Sequence, residues 1–559
     1  MTEPSRPAAT DPGSAGAGLL ALLAAGASLD PWPSASPGAS TGRPALVPEV
    51  LPGSPRWIKV IDQTRCIGCH ACTTACKSEN EVPIGVTRTY VKAVEIGTFP
   101  QARRAFQVTR CNQCSDAPCV AACPTAAMFQ RVDGIVDFNK SVCIGCKACI
   151  AACPYDAIFI NPADHTAEKC NFCAHRIDGG LEPACVVVCP TQAILVGDLN
   201  DPTSRVAQIV HRETVAVRRP EKGTRPGLFY KGADQATLDP LAARRPAGDT
   251  YMWSERSKTD HQGVEAGYPD GRNSSAAALL AYDIPHGAPW DWRVSLYTWT
   301  KGIAAGSYIV ALLLVLIGQI GAGSPLWALA APVLGGTFLS ITGGLLLLDL
   351  EHPERFYLIF TRPQLRSWLV RGAIVISLYG AVLAVHFLAS LLGLTALRSW
   401  LALAGLPLAV ATAAYTAYLF AQAKARDLWQ NPLLPAHFVV EAALAGGAAL
   451  LPVAVWLEPA AVAPLASVVA GAALLHLLFV LGETTLTHPT AHARLAVHEM
   501  TGGRYRRFFL TSVVLVALGM VAPFAPAPVL AALAAATGLV GLLAYEHAYV
   551  RAGQAVPLA

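Results

Sequence analysis

The sequence has no cysteine outside one stretch: all sixteen lie between Cys66 and Cys189, in four groups of four with none left over. It is also poor in charge, at 14% Asp, Glu, Lys and Arg. From about Trp299 onward charged residues thin further and apolar runs of membrane-spanning length follow one another, so the tail reads as a membrane domain. The net charge of +4 is small for 559 residues and is concentrated in particular loops, so it argues neither for nucleic acid nor for an acidic substrate as partner. No twin-arginine pair precedes the apolar run Gly18 to Leu29, and Glu3 and Asp11 outweigh Arg6 ahead of it. That run is expected to be a surface helix or plain linker rather than a cleaved signal. No candidate catalytic site for an oxyanion or sulfur substrate is found.

Cysteines serve as disulfides in secreted proteins and as metal ligands in reducing compartments, so spacing has to decide. The groups are Cys66, Cys69, Cys72, Cys76; Cys111, Cys114, Cys119, Cys123; Cys143, Cys146, Cys149, Cys153; and Cys170, Cys173, Cys185, Cys189. Three of them end in Cys-Pro, and the third, CIGCKACIAACP, follows the bacterial iron–sulfur run throughout. The second and fourth stretch the loop, with four residues between Cys114 and Cys119 and eleven between Cys173 and Cys185. Structural zinc prefers separated Cys-x-x-Cys pairs, so iron–sulfur is the expected use. Trp57 to Ile61 reads as a short strand leading into the first group. In two-cluster ferredoxins the fourth cysteine of such a run ligates the other cluster.

The phrases CNQCSDAPCVAACPT, CIGCKACIAACPYDAI and KCNFCAHRIDGGLEPACVVVCPTQAI resemble the electron-transfer subunit of the dimethyl sulfoxide reductase and polysulfide reductase class. The resemblance covers roughly Trp57 to Asn200 and implies four 4Fe-4S clusters, with the first group paired to the fourth and the second to the third. On this chain the ligand sets would be Cys66, Cys69, Cys72 and Cys189; Cys170, Cys173, Cys185 and Cys76; Cys111, Cys114, Cys119 and Cys153; and Cys143, Cys146, Cys149 and Cys123.

The expected architecture is multidomain: an α+β bacterial ferredoxin-like domain, then an all-α bundle of eight transmembrane helices. Residues 1–55, rich in Ala, Gly, Pro and Ser, are expected to be disordered. Residues 56–200 form the cluster domain. Residues 201–293 are basic and Pro/Gly-rich without helical periodicity, and read as an arm over a partner, with a solvated tether as the alternative. Residues 294–559 form the membrane domain.

Eight apolar segments run roughly from Trp299 to Ile320, Trp327 to Leu348, Trp368 to Leu391, Trp400 to Phe420, Leu434 to Leu457, Ala461 to Leu486, Phe508 to Phe524 and Pro528 to Tyr545. The side holding the start of the first segment carries Arg293, Lys301, Arg355, Arg362, Arg366, Arg371, Lys424, Arg426, Arg494, Arg504, Arg506, Arg507 and Arg551, against Arg398 alone on the other. By the positive-inside rule the termini and the cluster domain are expected in the cytoplasm.

The run LLLLDLEHPERFYLIFTRPQLRSWLVRGA looks like the membrane anchor of the NrfD/polysulfide reductase family. The resemblance implies electron exchange with membrane quinone, menaquinone or ubiquinone, and no haem. A haem would need paired helix histidines, whereas His386 lies about 27 Å along its helix from Trp368 at about 1.5 Å per residue, and His476 near mid-membrane. An ionisable group inside a membrane helix costs about 2.5 to 3.5 kcal/mol, which makes each one a candidate site. Trp299, Lys301, Asp349, His352 and Arg355 are the candidates for quinone contact, and Glu441, Glu483 and His476 for proton transfer. The ordinary alternatives are an interfacial ion-pair belt for Asp349, Glu351 and Arg355, and a buried structural pair for Glu441 and Glu483. The expected function is a fused electron-transfer and anchor subunit working between membrane quinone and a separate catalytic subunit, molybdopterin-dependent by the resemblance. A hydrogenase partner, or an ion-translocating membrane module, are the rival readings.

Overall fold

The computed structural model describes residues 53–97, 100–244 and 278–558. The N-terminal segment and its apolar run, and the middle of the 201–293 segment, lie outside the described residues. The cluster-bearing part and the membrane part belong to one compact unit.

Strand β1 (Trp57–Asp62) forms where β-branched residues alternate, and Ile58 and Val60 are fully buried. It lies inside a four-stranded sheet of order β4-β1-β6-β5, where β4 is Ile194–Asp198, β5 Val215–Ala216 and β6 Leu228–Lys231. β6 runs parallel to β1, pairing Lys59 with Leu228, and β4 runs antiparallel to it. A second sheet has the order β7-β2-β3, with β2 Thr89–Ile96, β3 Arg103–Arg110 and β7 Ala278–Tyr282. Two hairpins, Met128–Gln130 with Val136–Phe138 and Ile158–Ile160 with Ala167–Lys169, each follow a Cys-Pro.

This corrects the reading of 201–293 as a linker or partner arm. Residues 205–244 fold back onto the cluster domain, with a helix at Arg205–Arg212 that buries Val206 and Ile209, and β6 as an interior strand. The segment also clamps the membrane part: Arg218 Nη2 donates to Leu558 O at 3.0 Å, and Lys222 pairs with Asp427. Its burial partners are distant in sequence, so its local pattern resembles a loop.

Among the described residues eight helices are long and apolar enough to cross a membrane: α1 Trp292–Leu316, α2 Leu326–Leu348, α3 Trp368–Leu391, α4 Thr395–Gln422, α5 Leu434–Leu457, α6 Pro459–Thr485, α7 Arg506–Phe524 and α8 Pro528–Ala555. The first begins seven residues before the expected start, because its polar first turns pack beneath the cluster domain instead of facing lipid. The last runs on past Tyr545 to Ala555 for the same reason.

Helices α1 and α5 touch backbone to backbone. A Cβ on Gly306 would stand 1.6 Å from Ala442 O, and one on Gly446 would stand 1.9 Å from the Gly306 carbonyl carbon. Small residues permit such approach between membrane helices, where dispersion rather than water drives packing. Gly306→Leu must therefore push the pair apart, an overpacking cost of about 1–3 kcal/mol or more. The expected outcome is a lower melting temperature of the detergent-solubilised protein, read by heating followed by size exclusion, and less protein in membranes.

Candidate functional site

None of the sixteen cysteines is in a disulfide, and twelve are buried. Their electrostatic neighbours group them into sets, with links from one set to the next. Cys66 lies beside Cys69 and Cys189, and Cys72 beside Cys66 and Cys189. Cys76 lies beside Cys170, Cys173 and Cys185, and Asn80 Nδ2 is 3.7 Å from both Cys76 Sγ and Cys173 Sγ. Cys114 lies beside Cys111, Cys119 and Cys153. Cys149 lies beside Cys146, Cys123 and Cys143, and these four line one small cavity. In each case the last cysteine of one group joins the first three of another. The sets influence one another electrostatically through Cys119 and Cys149, Cys111 and Cys170, and Cys72 and Cys185, which orders them in a row.

The surroundings test whether an anionic metal cluster fits. Burial pushes the Cys72 thiol up to about 11 and Cys76 up to about 12, so neither ionises at neutral pH without a metal to take the thiolate. Burial acts the same way on Cys185, but Arg110 and Lys59 beside it hold that thiol below its ordinary value. Buried thiols grouped in fours, with buried cations among them, suit iron–sulfur cubes.

The Cys143–Cys149 loop rests on the membrane domain. Gly145 has φ of +68°, and a Cβ there would meet Glu351 Cβ at 2.4 Å, so only glycine lets the loop sit this close. Lys147 Nζ is 2.9 Å from Glu351 Oε1 and 3.6 Å from Asp349 Oδ1. Trp290 Nε1 donates to Cys146 O at 3.4 Å, and its ring stacks on Trp429. Gln364 Nε2 donates to Val120 O at 2.9 Å and Ser367 Oγ to Ala122 O at 2.8 Å, which fastens the second group to the same platform. Burial pushes the Asp349 carboxyl up to about 6 against the pull of Lys147, so it exchanges a proton near neutral pH.

Beneath this seam a polar group lies inside the bundle. Lys301 Nζ donates to Ala413 O at 2.8 Å and Thr416 Oγ1 at 2.7 Å, with the rings of Phe438 and Tyr415 against it. Glu546 stands next to Lys301 and hydrogen-bonds Glu441, which requires a proton between the two carboxyls. Glu441 Oε1 lies 3.3 Å from His437 Nε2 and 3.6 Å from His476 Nδ1, and the two ring nitrogens are 3.0 Å apart. These three donors are close enough to share protons or to hold a divalent cation. Glu483 accepts from Tyr545 Oη at 3.0 Å and from Asn431 Nδ2 at 3.2 Å. Tyr297, hydrogen-bonded to Thr416 and near both Asp349 and Glu546, links seam and interior.

The expected site residues therefore separate. Glu441, His476 and Lys301 come together, with Glu483 joined through Tyr545, whose ring packs on His476. His352 and Arg355 do not join them: His352 Nε2 donates to Asp164 O at 2.9 Å, and Arg355 Nη1 to Lys140 O and Cys143 O at 3.1 and 3.0 Å. Both fasten the cluster domain to the membrane domain. Trp299 turns to α8, its Nε1 donating to Leu539 O at 2.8 Å. His386 sits apart against Tyr308 and Trp327. Sequence reasoning missed Trp290, His437, Tyr545 and Glu546. The His437-x3-Glu441 spacing puts both residues on one helix face, which was a usable signal. Glu546 lies one residue past the apolar run Pro528 to Tyr545, where the hydropathy signal ends.

Comparison with known proteins fits this arrangement. The 4Fe-4S binding domain family matches residues 57–78, the 4Fe-4S dicluster domain family residues 103–199, and the polysulphide reductase NrfD family residues 283–557. A tetrathionate reductase subunit of Salmonella typhimurium is 44% identical over 247 residues, which is 42% of this chain and 93% of that protein. A polysulfide reductase component of Wolinella succinogenes is 43% identical over 171 residues, 30% of this chain and 90% of its own length. The arsenate respiratory reductase iron-sulfur subunit of a Shewanella species is 36% identical over 219 residues, 31% of this chain and 94% of that subunit. The chain is a multi-pass membrane protein with iron–sulfur domains.

Proposed function

Since the chain belongs to the family of iron–sulfur reductase subunits, here joined to an NrfD-type membrane domain, we propose that it carries electrons between membrane quinol and a separate catalytic subunit. The observation that carries this reading is the seam, where the Cys143–Cys149 loop is held by Lys147 against Asp349 and Glu351, above a buried group of proton-sharing side chains. The four cysteine sets described above would hold four 4Fe-4S clusters, which supply one-electron uptake and release when bound. Cys123, Cys143, Cys146 and Cys149 stand at the membrane end; Cys66, Cys69, Cys72 and Cys189 stand at the far end, where Cys69 is exposed.

Oxidation of a quinol releases two electrons and two protons. Asp349, which titrates near neutrality at the seam, is the first acceptor of a proton, and Tyr297 connects it to the interior group. His437, Glu441 and His476, with Glu546 and Glu483, then share and pass on protons within water-excluded protein. Lys301 offsets part of the carboxylate charge there.

The partner is proposed to be a molybdopterin reductase subunit. Metal analysis of the complex purified through this chain is expected to find molybdenum, and nickel would assign it to a hydrogenase instead. The cluster side is proposed to face the cytoplasm. Lys301 and Arg426 are buried and Arg355 is spent on docking, yet Arg362, Arg366, Arg371, Arg494, Arg504, Arg506 and Arg507 remain exposed on that side, while Arg398 opposite is buried. In spheroplasts a membrane-impermeant thiol reagent is expected to label Ala322→Cys at once and Arg494→Cys only after permeabilisation. The reverse order would place the cluster domain outside.

A further inference from the structure

Three basic side chains are buried among the cysteines with no carboxylate ion pair among the described residues. Arg110, 2% exposed, donates from Nη1 to Cys185 Sγ at 2.9 Å, while its Nε and Nη2 have no hydrogen-bond partner. It stands between two sets, next to Cys72 of one and to Cys185 and Cys170 of the other. Lys59 is equally buried; its Nζ lies 3.9 Å above the Phe172 ring without a hydrogen-bond partner, near Cys111, Cys173 and Cys185. Lys169 is fully buried, donates to the carbonyls of Val136 and Cys170, and faces Cys111 and Cys119.

The membrane end is the opposite. Lys147, the basic residue within its ligand loop, is ion-paired to both Asp349 and Glu351, and Arg355, which reaches the Cys143 carbonyl, lies 3.6 Å from Glu354, so the cations at this end are met by carboxylates. An added electron is stabilised by a nearby unpaired cation and opposed by a nearby carboxylate, and both effects are strong where water is excluded. All three unpaired cations lie with the sets away from the seam.

We propose that Lys59, Arg110 and Lys169 make the three distal cysteine sets easier to reduce than the seam set, so that the chain is graded to run from quinol to partner. The proposal rests on the four-cluster reading and adds a direction to it. Per turnover one quinol loses two electrons and two protons. The protons go to the seam and interior carboxyls, and the electrons go singly to a two-electron oxidant held by the catalytic subunit. Arg110, Lys59 and Lys169 are positioning residues, acting through the charge they hold beside the thiolates.

The test is a potentiometric titration of the purified, cluster-loaded protein followed by electron paramagnetic resonance. Arg110→Gln is expected to lower the midpoint potential of two signals by a tenfold or greater change in reduction equilibrium, about 59 mV for one electron. Asp349→Asn is expected to raise a different signal, and that signal should be the lowest of the wild-type set. Should Arg110→Gln fail to load, Lys59→Met removes a neighbouring charge and is expected to lower a distal signal in the same way. Distal variants that move no signal, or an Asp349-sensitive signal that is the highest of the set, would overturn the grading. Iron and spin counts below four clusters in the wild type would remove the underlying reading instead.

Discussion

The Cys146→Ala/Cys149→Ala double variant is expected to lose quinol-dependent reduction of every remaining cluster, falling to background, while iron drops by only about a quarter of the total at four atoms per cube. The effect is large because this set stands at the membrane end of the row, with its ligand loop packed on the membrane domain. Its loop touches Trp290 and Glu351, and its electrostatic link to the next set runs through Cys149 and Cys119. The matching change at the other end, Cys66→Ala/Cys69→Ala, is expected to leave quinol-dependent reduction of the remaining clusters intact and to abolish transfer to the catalytic subunit. Iron analysis, dithionite-reduced spectra and quinol-reduced spectra of the two variants side by side distinguish a broken wire from a misfolded domain. Equal loss of quinol reduction in both would contradict the order of the sets.

Glu441→Gln is expected to slow quinol-dependent reduction by roughly 10²–10⁴-fold, the usual contribution of a placed acid or base, while dithionite still reduces all clusters. Glu441 is where the interior group converges: it meets His437 and His476 on one side and Glu546 on the other. Gln keeps the volume but cannot take up a proton, so the connection between Glu546 and the histidines is cut. Asp349→Asn is expected to slow the same step less, because Lys147 and Glu351 continue to hold the seam. Stopped-flow absorbance with a soluble menaquinol analogue reads both rates.

Much of this was legible in the sequence, for identifiable physical reasons. Trp368–Leu391 and Leu434–Leu457 have the same bounds in the structure as in the reading, since each is a predominantly apolar run of membrane-spanning length. The cysteine groups were legible because thiols converging on one small object impose short spacings. The helix ends were not: α1 and α8 continue beyond their apolar runs into a protein-covered seam, where polar residues are tolerated, and Glu546 and Trp290 went unnoticed there. Strand β6 was illegible because four residues between loops acquire their identity only by pairing with β1, far away in sequence. His352 and Arg355 carry the charge of a ligand site, but a sequence does not record that their hydrogen bonds are already taken by the backbone of another domain.

The central claim is that the seam connects quinol chemistry in the membrane domain to the cysteine sets above it. Anaerobic titration of the purified chain in lipid nanodiscs with a menaquinol analogue, in the absence of any partner subunit, tests it most directly. The account predicts reduction of the bound clusters with one quinol consumed per two electrons, reached about 10²–10⁴-fold more slowly in Glu441→Gln. A chain with its full complement of iron, reducible by dithionite but untouched by quinol, would contradict it.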